Sequence, residues 1–171
     1  DRNYLFADLA AAITAAGANV LGARVYTSRA GQSLDVFYVQ DVTGQPFGCD
    51  SPRVLPRLIE ALEAAGRGEP LRREPERQAD LGRAAAFAIT PTVMIDNEAS
   101  ESATVVEVSG RDRRGLLEAV ARTISDGELS IVSAHVDSYG ERAVDAFYVV
   151  GKDRQKLVDP RRRAGLTAAL L

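Results

Sequence analysis

The stretch Asp112-Arg113-Arg114-Gly115-Leu116-Leu117 decides the fold, because Asp1-Arg2-Asn3-Tyr4-Leu5-Phe6 repeats its pattern 111 residues earlier. The match runs outward from both stretches. After a turn that is one residue shorter in the second copy, Asp35-Val36-Phe37-Tyr38-Val39 matches Asp145-Ala146-Phe147-Tyr148-Val149. The order of elements matches as well, so the chain carries one module twice.

Each copy has the pattern of a helix, two strands joined by a turn, and a second helix. Apolar residues recur at helical spacing from Leu5 to Ile13 and from Leu116 to Ile124. The strands are predicted at Asn19–Ser28, Ser33–Asp41, Ala86–Ile95, Thr104–Ser109, Ser130–Ser138 and Ala143–Val150. The order βαββαβ predicts an α+β fold with two ferredoxin-like domains, whose antiparallel sheets carry helices on one face only.

The predicted domains are residues 1–96 and 97–171. Residues 67–85 are rich in Arg, Glu, Pro and Gly and form a linker-like excursion before the last strand of the first domain. The first domain lacks its opening strand, which would leave backbone groups unpaired. We therefore expect a polypeptide upstream of Asp1, or another chain, to supply that strand.

Alternation in the third strand of each domain places Phe37 with Val39 and Phe147 with Val149. The helices are expected to cover the opposite face, so this apolar strip needs another cover. A neighbouring sheet, the other module or another chain would supply it.

Composition excludes several kinds of site. The chain has 171 residues, a net charge of −3, one cysteine (Cys49) and one histidine (His135). One cysteine rules out an internal disulfide framework and a multi-cysteine zinc site. The acidic balance does not favour nucleic acid, and no apolar run reaches the ~20 residues that a membrane span requires. A catalytic motif is lacking too, so the chain is predicted not to be an enzyme by itself.

The loop at Asp112-Arg113-Arg114-Gly115-Leu116 resembles the hallmark loop of the ACT domain family, which are small ligand-binding regulatory modules of split βαβ fold. The run Tyr139-Gly140-Glu141-Arg142-Ala143-Val144-Asp145, in register with that loop, is similar to the carboxy-terminal ACT pair of the bacterial protein-PII uridylyltransferase family. The similarity covers nearly the whole chain.

The resemblance implies a cytoplasmic regulatory region that senses glutamine. It would control the uridylylation and deuridylylation of the PII nitrogen signalling protein. The nucleotidyltransferase and phosphodiesterase activities would lie in upstream catalytic domains of the same chain, with Mg²⁺ there and no metal or cofactor in this region. A homo-oligomer is compatible with this role.

The resemblance also implies a ligand site at each loop and at the start of the next strand. Asp112 either caps the helix or pairs with the ligand's ammonium group, while the first-turn amides are open to a carboxylate. The ligand-binding residues are predicted to be Asp112, Arg113, Gly115, Leu116, Ser130, Ile131, Asp1, Leu5, Asn19 and Val20.

Each copy has half of the family's pattern. Asn19 begins the strand of the first copy, where Ser130 stands in the second, and Tyr4 replaces Gly115 in the loop of the first. One possible site lies between the modules and combines Asp112 and Gly115 with Asn19. Alternatively, both loops are only helix caps.

Four other interpretations remain open at this point. Asp35 and Asp145 read as surface carboxylates near a hairpin, and His135 as a solvent-facing strand residue. An alternative for the chain as a whole is a structural module that mediates oligomerisation and binds no ligand. An RNA-binding sheet is a weaker alternative, because the basic surface that it needs is missing.

Overall fold

A computed structural model describes residues 2, 4–28, 30–70, 89–139 and 141–171. Their helices are α1 (Leu5–Ala15), α2 (Val54–Gly66), α3 (Leu116–Asp126) and α4 (Pro160–Leu170). Their strands are β1 (Asn19–Thr27), β2 (Ser33–Gln40), β3 (Thr92–Asp96), β4 (Thr104–Arg111), β5 (Leu129–Tyr139) and β6 (Arg142–Gly151).

The predicted α+β class with antiparallel strands is confirmed, but the described strands form one sheet and not two. Their order is β2-β1-β5-β6-β4-β3, and every neighbouring pair is antiparallel. The two copies meet where β1 pairs with β5, from Gly22 opposite Asp137 to Tyr26 opposite Ser133. A division into two tandem domains at residue 96 therefore stays a prediction.

The strand that the sequence assigns to the end of the first copy lies elsewhere. Within the described residues, β3 pairs only with β4 of the second copy, at the sheet edge opposite β2. The alternation of Val93 and Ile95 does not distinguish a place beside the first copy from one beside the second. In either place these side chains would face the core that the two copies share. Residues 71–88, which hold most of the linker-like excursion and the start of the predicted strand, lie outside the described part.

All four helices cover the same face of the sheet, and the sequence assigned this face wrongly. Phe147 and Val149 are fully buried in the main core, and Phe37 and Val39 pack beside it under α1 and α2. The other face carries Tyr26, Leu34 and Tyr38, which are 54%, 65% and 59% exposed. Alternation shows which residues share a face, but only packing decides which face the helices cover.

Both copies contribute to one core. Phe6 of α1 stacks on Phe37 and meets Phe147 of β6 edge to face, with ring centroids 6.4 Å apart in the second pair. Val106, Ile124 and Ala134 of the second copy belong to the same cluster as Ala23 and Val25 of the first. The start of α4 is capped by Asp159, whose side chain accepts hydrogen bonds from the first-turn amides of that helix.

Gly22→Ala is expected to lower the free energy of unfolding by about 1–2 kcal/mol, because a Cβ there would lie 3.0 Å from the Val136 carbonyl oxygen of β5. Inside a strand, alanine normally stabilises relative to glycine, so the sign of the effect is diagnostic. The matched control is Gly110→Ala in β4, where the Cβ would meet only Pro91 at 3.8 Å. Urea denaturation that shows equal effects for the two variants would contradict the close approach of β1 and β5.

Candidate functional site

Two clefts lie where the two copies meet, and they are related by the sequence repeat. The second cleft, of about 370 Å³ with its open mouth included, joins the loop of the second copy to the strand start of the first. The first cleft, of about 340 Å³, joins the loop of the first copy to the strand start of the second. Tyr4, Ser33 and Asp35 of the first cleft correspond to Gly115, Ala143 and Asp145 of the second.

The second cleft combines polar and apolar groups from α1, β1, the loop before α3, α3 itself, β5 and β6. It is lined by Ala10, Thr14, Asn19, Val20, Asp112, Arg113, Gly115, Leu116, Leu117, Val136, Ala143 and Asp145.

Two hydrogen bonds to backbone carbonyl oxygens hold the loop of the second cleft. The Asp112 amide donates to the carbonyl oxygen of Glu141 at 2.8 Å, which fixes the loop to the turn between β5 and β6. Arg114 donates to the carbonyl oxygen of Thr14 at the end of α1, which fixes the loop to the first copy. The loop is thus held by both copies.

Asp112 does not cap α3, contrary to one of the two predicted roles. The helix begins after Gly115, which has a φ of 77°, and no side chain caps it in the described structure. A left-handed conformation at this position favours glycine. The Asp112 side chain therefore does not serve as a cap. Asp112 lines the cleft together with the start of α3.

Asp145 is the most buried of the charged residues that line the second cleft. It is 2% exposed, and its Oδ1 has no hydrogen-bond partner among the described residues. Burial raises its pKa to about 7, and the neighbouring charge of Asp112 adds to the rise, while a hydrogen bond with the Asp137 backbone opposes it. A carboxylate is seldom buried without a partner, so this group points to a function.

The interpretation of Asp145 as a surface carboxylate is therefore wrong. Its neighbours on the same face of β6 are Ala143, Phe147 and Val149, all buried. That alternation was the signal that could have located it. Asp35, its counterpart, is half-buried, and burial likewise raises its pKa, against the effect of a hydrogen bond from Ser33.

The loop of the first cleft has a tyrosine, Tyr4, where the loop of the second has Gly115. Tyr4 adopts a left-handed conformation with φ of 65°. Its hydroxyl donates to Asp126 Oδ1 at 2.9 Å, and the Arg122 guanidinium lies 5.9 Å from its ring centre. The side chain that replaces glycine thus ties the loop of the first copy to α3 of the second.

The predicted ligand residues divide between the clefts. Asp112, Arg113, Gly115, Leu116, Asn19 and Val20 come together in the second, which is the arrangement between modules considered from the sequence. Leu5, Ser130 and Ile131 line the first cleft. Asp1 lies outside the described residues. Their ligand-binding role stays a prediction.

Other features of the chain show little sign of chemistry. Within the described ranges, no cluster of three or more His, Cys, Asp or Glu side chains has metal-binding geometry. Helices long and apolar enough to cross a membrane are likewise lacking among the described residues. His135 is half-buried on the helix-free face, with its ring 5.9 Å from that of Tyr148, and the Cys49 thiol is exposed in a loop.

Comparison with known proteins relates the chain to one group of enzymes. Residues 92–171 match the family model described as an ACR9-like, ACT-like domain. The bifunctional uridylyltransferase/uridylyl-removing enzyme of Phenylobacterium zucineum (strain HLK1) is 71% identical over 171 residues, which are 100% of this chain and 18% of that protein. The proteins of the same name from Caulobacter vibrioides (strain NA1000 / CB15N) and Erythrobacter litoralis (strain HTCC2594) are 64% and 39% identical, and this chain, matched over 100% of its length, covers 18% and 19% of them.

No solved structure matches the chain. The chain spans 18% of the length of the first two relatives, so the similarity concerns a segment of those proteins. Over its whole length the chain is therefore similar to a segment of the bifunctional uridylyltransferase/uridylyl-removing enzymes, and its residues 92–171 are similar to an ACT-like domain.

Proposed function

We propose that this chain is a cytoplasmic regulatory region that binds a free amino acid, glutamine, in the second cleft. Binding there would control the uridylylation and deuridylylation of the PII protein by catalytic domains elsewhere in the same polypeptide. The observation that carries the proposal is the buried Asp145 carboxylate, whose Oδ1 has no partner among the described residues, in a cleft that also holds Asp112 and Asn19.

The groups of the cleft complement those of an α-amino acid. The carboxylates of Asp112 and Asp145 suit an ammonium group, since an opposite charge stabilises a buried carboxylate. The start of α3 offers backbone amides to a carboxylate. Asn19 has both a donor and an acceptor for a side-chain amide such as that of glutamine.

The position of the cleft explains how binding would act on other domains. Its walls come from both copies, joined through β1 and β5 and through the contact of Arg114 with Thr14. A ligand that fits one arrangement of the two copies better than another shifts the population toward that arrangement. We assign catalysis and its Mg²⁺ to the other domains of the polypeptide.

Isothermal titration of the chain with L-glutamine at pH 8 tests the proposal. Above a pKa of about 7 Asp145 is ionised and ready for a cation, so we expect saturable heat at millimolar ligand or below. L-glutamate has the same size but one more negative charge, and we expect it to bind at least ~10-fold more weakly beside two carboxylates. Absence of heat with glutamine would overturn the proposal for this chain.

A ligand-free oligomerisation module is the second candidate. The helix-free face of the sheet favours it, because Tyr26, Leu34 and Tyr38 stand exposed on the adjacent strands β1 and β2. Sedimentation equilibrium would distinguish the two candidates. A dimer whose dissociation constant does not respond to glutamine would support this second function.

A further inference from the structure

The two clefts differ at the residue that stands two positions before their buried aspartate. In the first cleft this residue is Ser33, whose hydroxyl donates to Asp35 Oδ1 at 2.6 Å. In the second cleft it is Ala143, which is 3% exposed and has no hydroxyl to donate. The first aspartate therefore has a partner inside the protein, and Oδ1 of Asp145 has none among the described residues.

A second difference lies in the loops. Gly115 leaves the mouth of the second cleft without a side chain, and no atom lies within 4 Å of the position where a Cβ would stand. Tyr4 fills the corresponding position of the first cleft and is fixed by its hydrogen bond to Asp126. The second cleft thus has a glycine in its loop and an aspartate oxygen without a partner, whereas the first has a tyrosine there and an aspartate that accepts from Ser33.

We infer that the chain binds one amino acid, in the second cleft, with the ligand's α-ammonium group on Asp145, and that Ala143 determines this specificity by leaving Oδ1 of Asp145 without a donor. The inference rests on the proposed function and adds to it the receiving group, the selecting residue and the number of ligands.

The energetics favour a cation as the missing partner. A buried carboxylate with one oxygen that lacks a hydrogen-bond partner destabilises the folded chain, and a ligand that supplies both a charge and donors offsets this penalty on binding. An ammonium group has three donors and no acceptor, which suits the two carboxylates of a site lined by Asp112, Asp145 and one cation, Arg113. In the first cleft the Ser33 hydroxyl already provides the donor, so a ligand would gain less.

The test compares L-glutamine with glutaramate, which has hydrogen in place of the α-ammonium group, by isothermal titration at pH 8. For the natural chain we expect one molecule of glutamine per chain and at least ~10-fold weaker binding of glutaramate. Asp145→Asn should remove the preference, so that both compounds bind about equally. Ala143→Ser should reduce the preference by giving Asp145 a donor, and the matched control Ser33→Ala should leave it unchanged.

The outcomes separate the inference from the function on which it rests. If glutamine binds with two molecules per chain, or if Asp145→Asn keeps the preference over glutaramate, the inference is wrong while amino-acid sensing stands. If the natural chain binds no glutamine, the proposed function fails and the assignment of Asp145 fails with it. The urea denaturation midpoint of each variant, measured in parallel, shows that the variant is folded.

Discussion

The Asp145→Asn variant is expected to be more stable than the natural chain at pH 8, by up to about 4 kcal/mol. A carboxyl pKa that rises from 3.8 to about 7 on folding corresponds to this free energy, at about 1.4 kcal/mol per pH unit. Asparagine has nearly the same shape but carries no charge, so it resembles the protonated carboxyl and avoids the penalty of burying a charge.

The pH dependence fixes the sign of this effect. Below pH 3.8 the carboxyl is protonated in both the folded and the unfolded chain, so the variant gains nothing. Between pH 3.8 and about 7 the unfolded chain loses the proton first, and the natural chain loses stability as the pH rises. Above that window the penalty is complete, so the difference between the two proteins is largest and constant.

Urea denaturation at several pH values between 4 and 8 checks the expectation, with Asp35→Asn as the control. Burial raises the pKa of Asp35 as well, but the Ser33 hydrogen bond stabilises its ionised form, so the control should gain less. If Asp145→Asn were less stable than the natural chain at pH 8, the Asp145 carboxylate would have to be paired in the folded protein. A variant that gains stability while it loses glutamine binding would show that the residue serves the ligand and not the fold.

Phe147→Ala is expected to lower the free energy of unfolding by about 3–5 kcal/mol, which is the usual effect of removing a buried aromatic ring. Phe147 is 0% exposed and lies in the middle of β6, opposite Val106 and Ala134. The control is Tyr148→Ala on the other face of the same strand, where the side chain is only half-buried and the loss should be clearly smaller.

A double-mutant cycle shows whether the two copies share this core. Phe6 of the first copy meets Phe147 of the second edge to face, so Phe6→Ala and Phe147→Ala should couple by about 0.5–1.5 kcal/mol. Both measurements use thermal or urea denaturation of the whole chain. Strictly additive effects would mean that the first and second copies have separate cores.

Local sequence patterns predicted the elements well, because helices and strands depend on spacing that lies within one segment. The stripe from Leu116 to Ile124 predicted α3, and the alternation around Phe147 predicted β6. The pairing of β1 with β5 and the position of β3 beside β4 depend on contacts between distant segments, and no local pattern encodes them. The same limitation explains why the helix-covered face was assigned wrongly.

The candidate site was predictable in part. The repeat located the loop from Asp112 to Gly115 and the strand start at Asn19, and the structure brings both to one cleft. Asp145 was missed, because charged residues near a hairpin are usually exposed, although its position between Ala143 and Phe147 on a buried face indicated otherwise. The left-handed conformation of Tyr4 has no local signal, since it depends on contacts with Asp126 and Arg122 across the junction.

A crystal structure of the chain grown with L-glutamine at pH 8 would locate the ligand and its ammonium group. We expect one glutamine in the second cleft, with its ammonium group within hydrogen-bond distance of Asp145 and its carboxylate at the start of α3. The first cleft should remain without ligand and keep the hydrogen bond from Ser33 to Asp35. Glutamine bound in the first cleft, or bound in the second cleft away from Asp145, would contradict the assignment of Asp145 as the group that receives the ligand's ammonium.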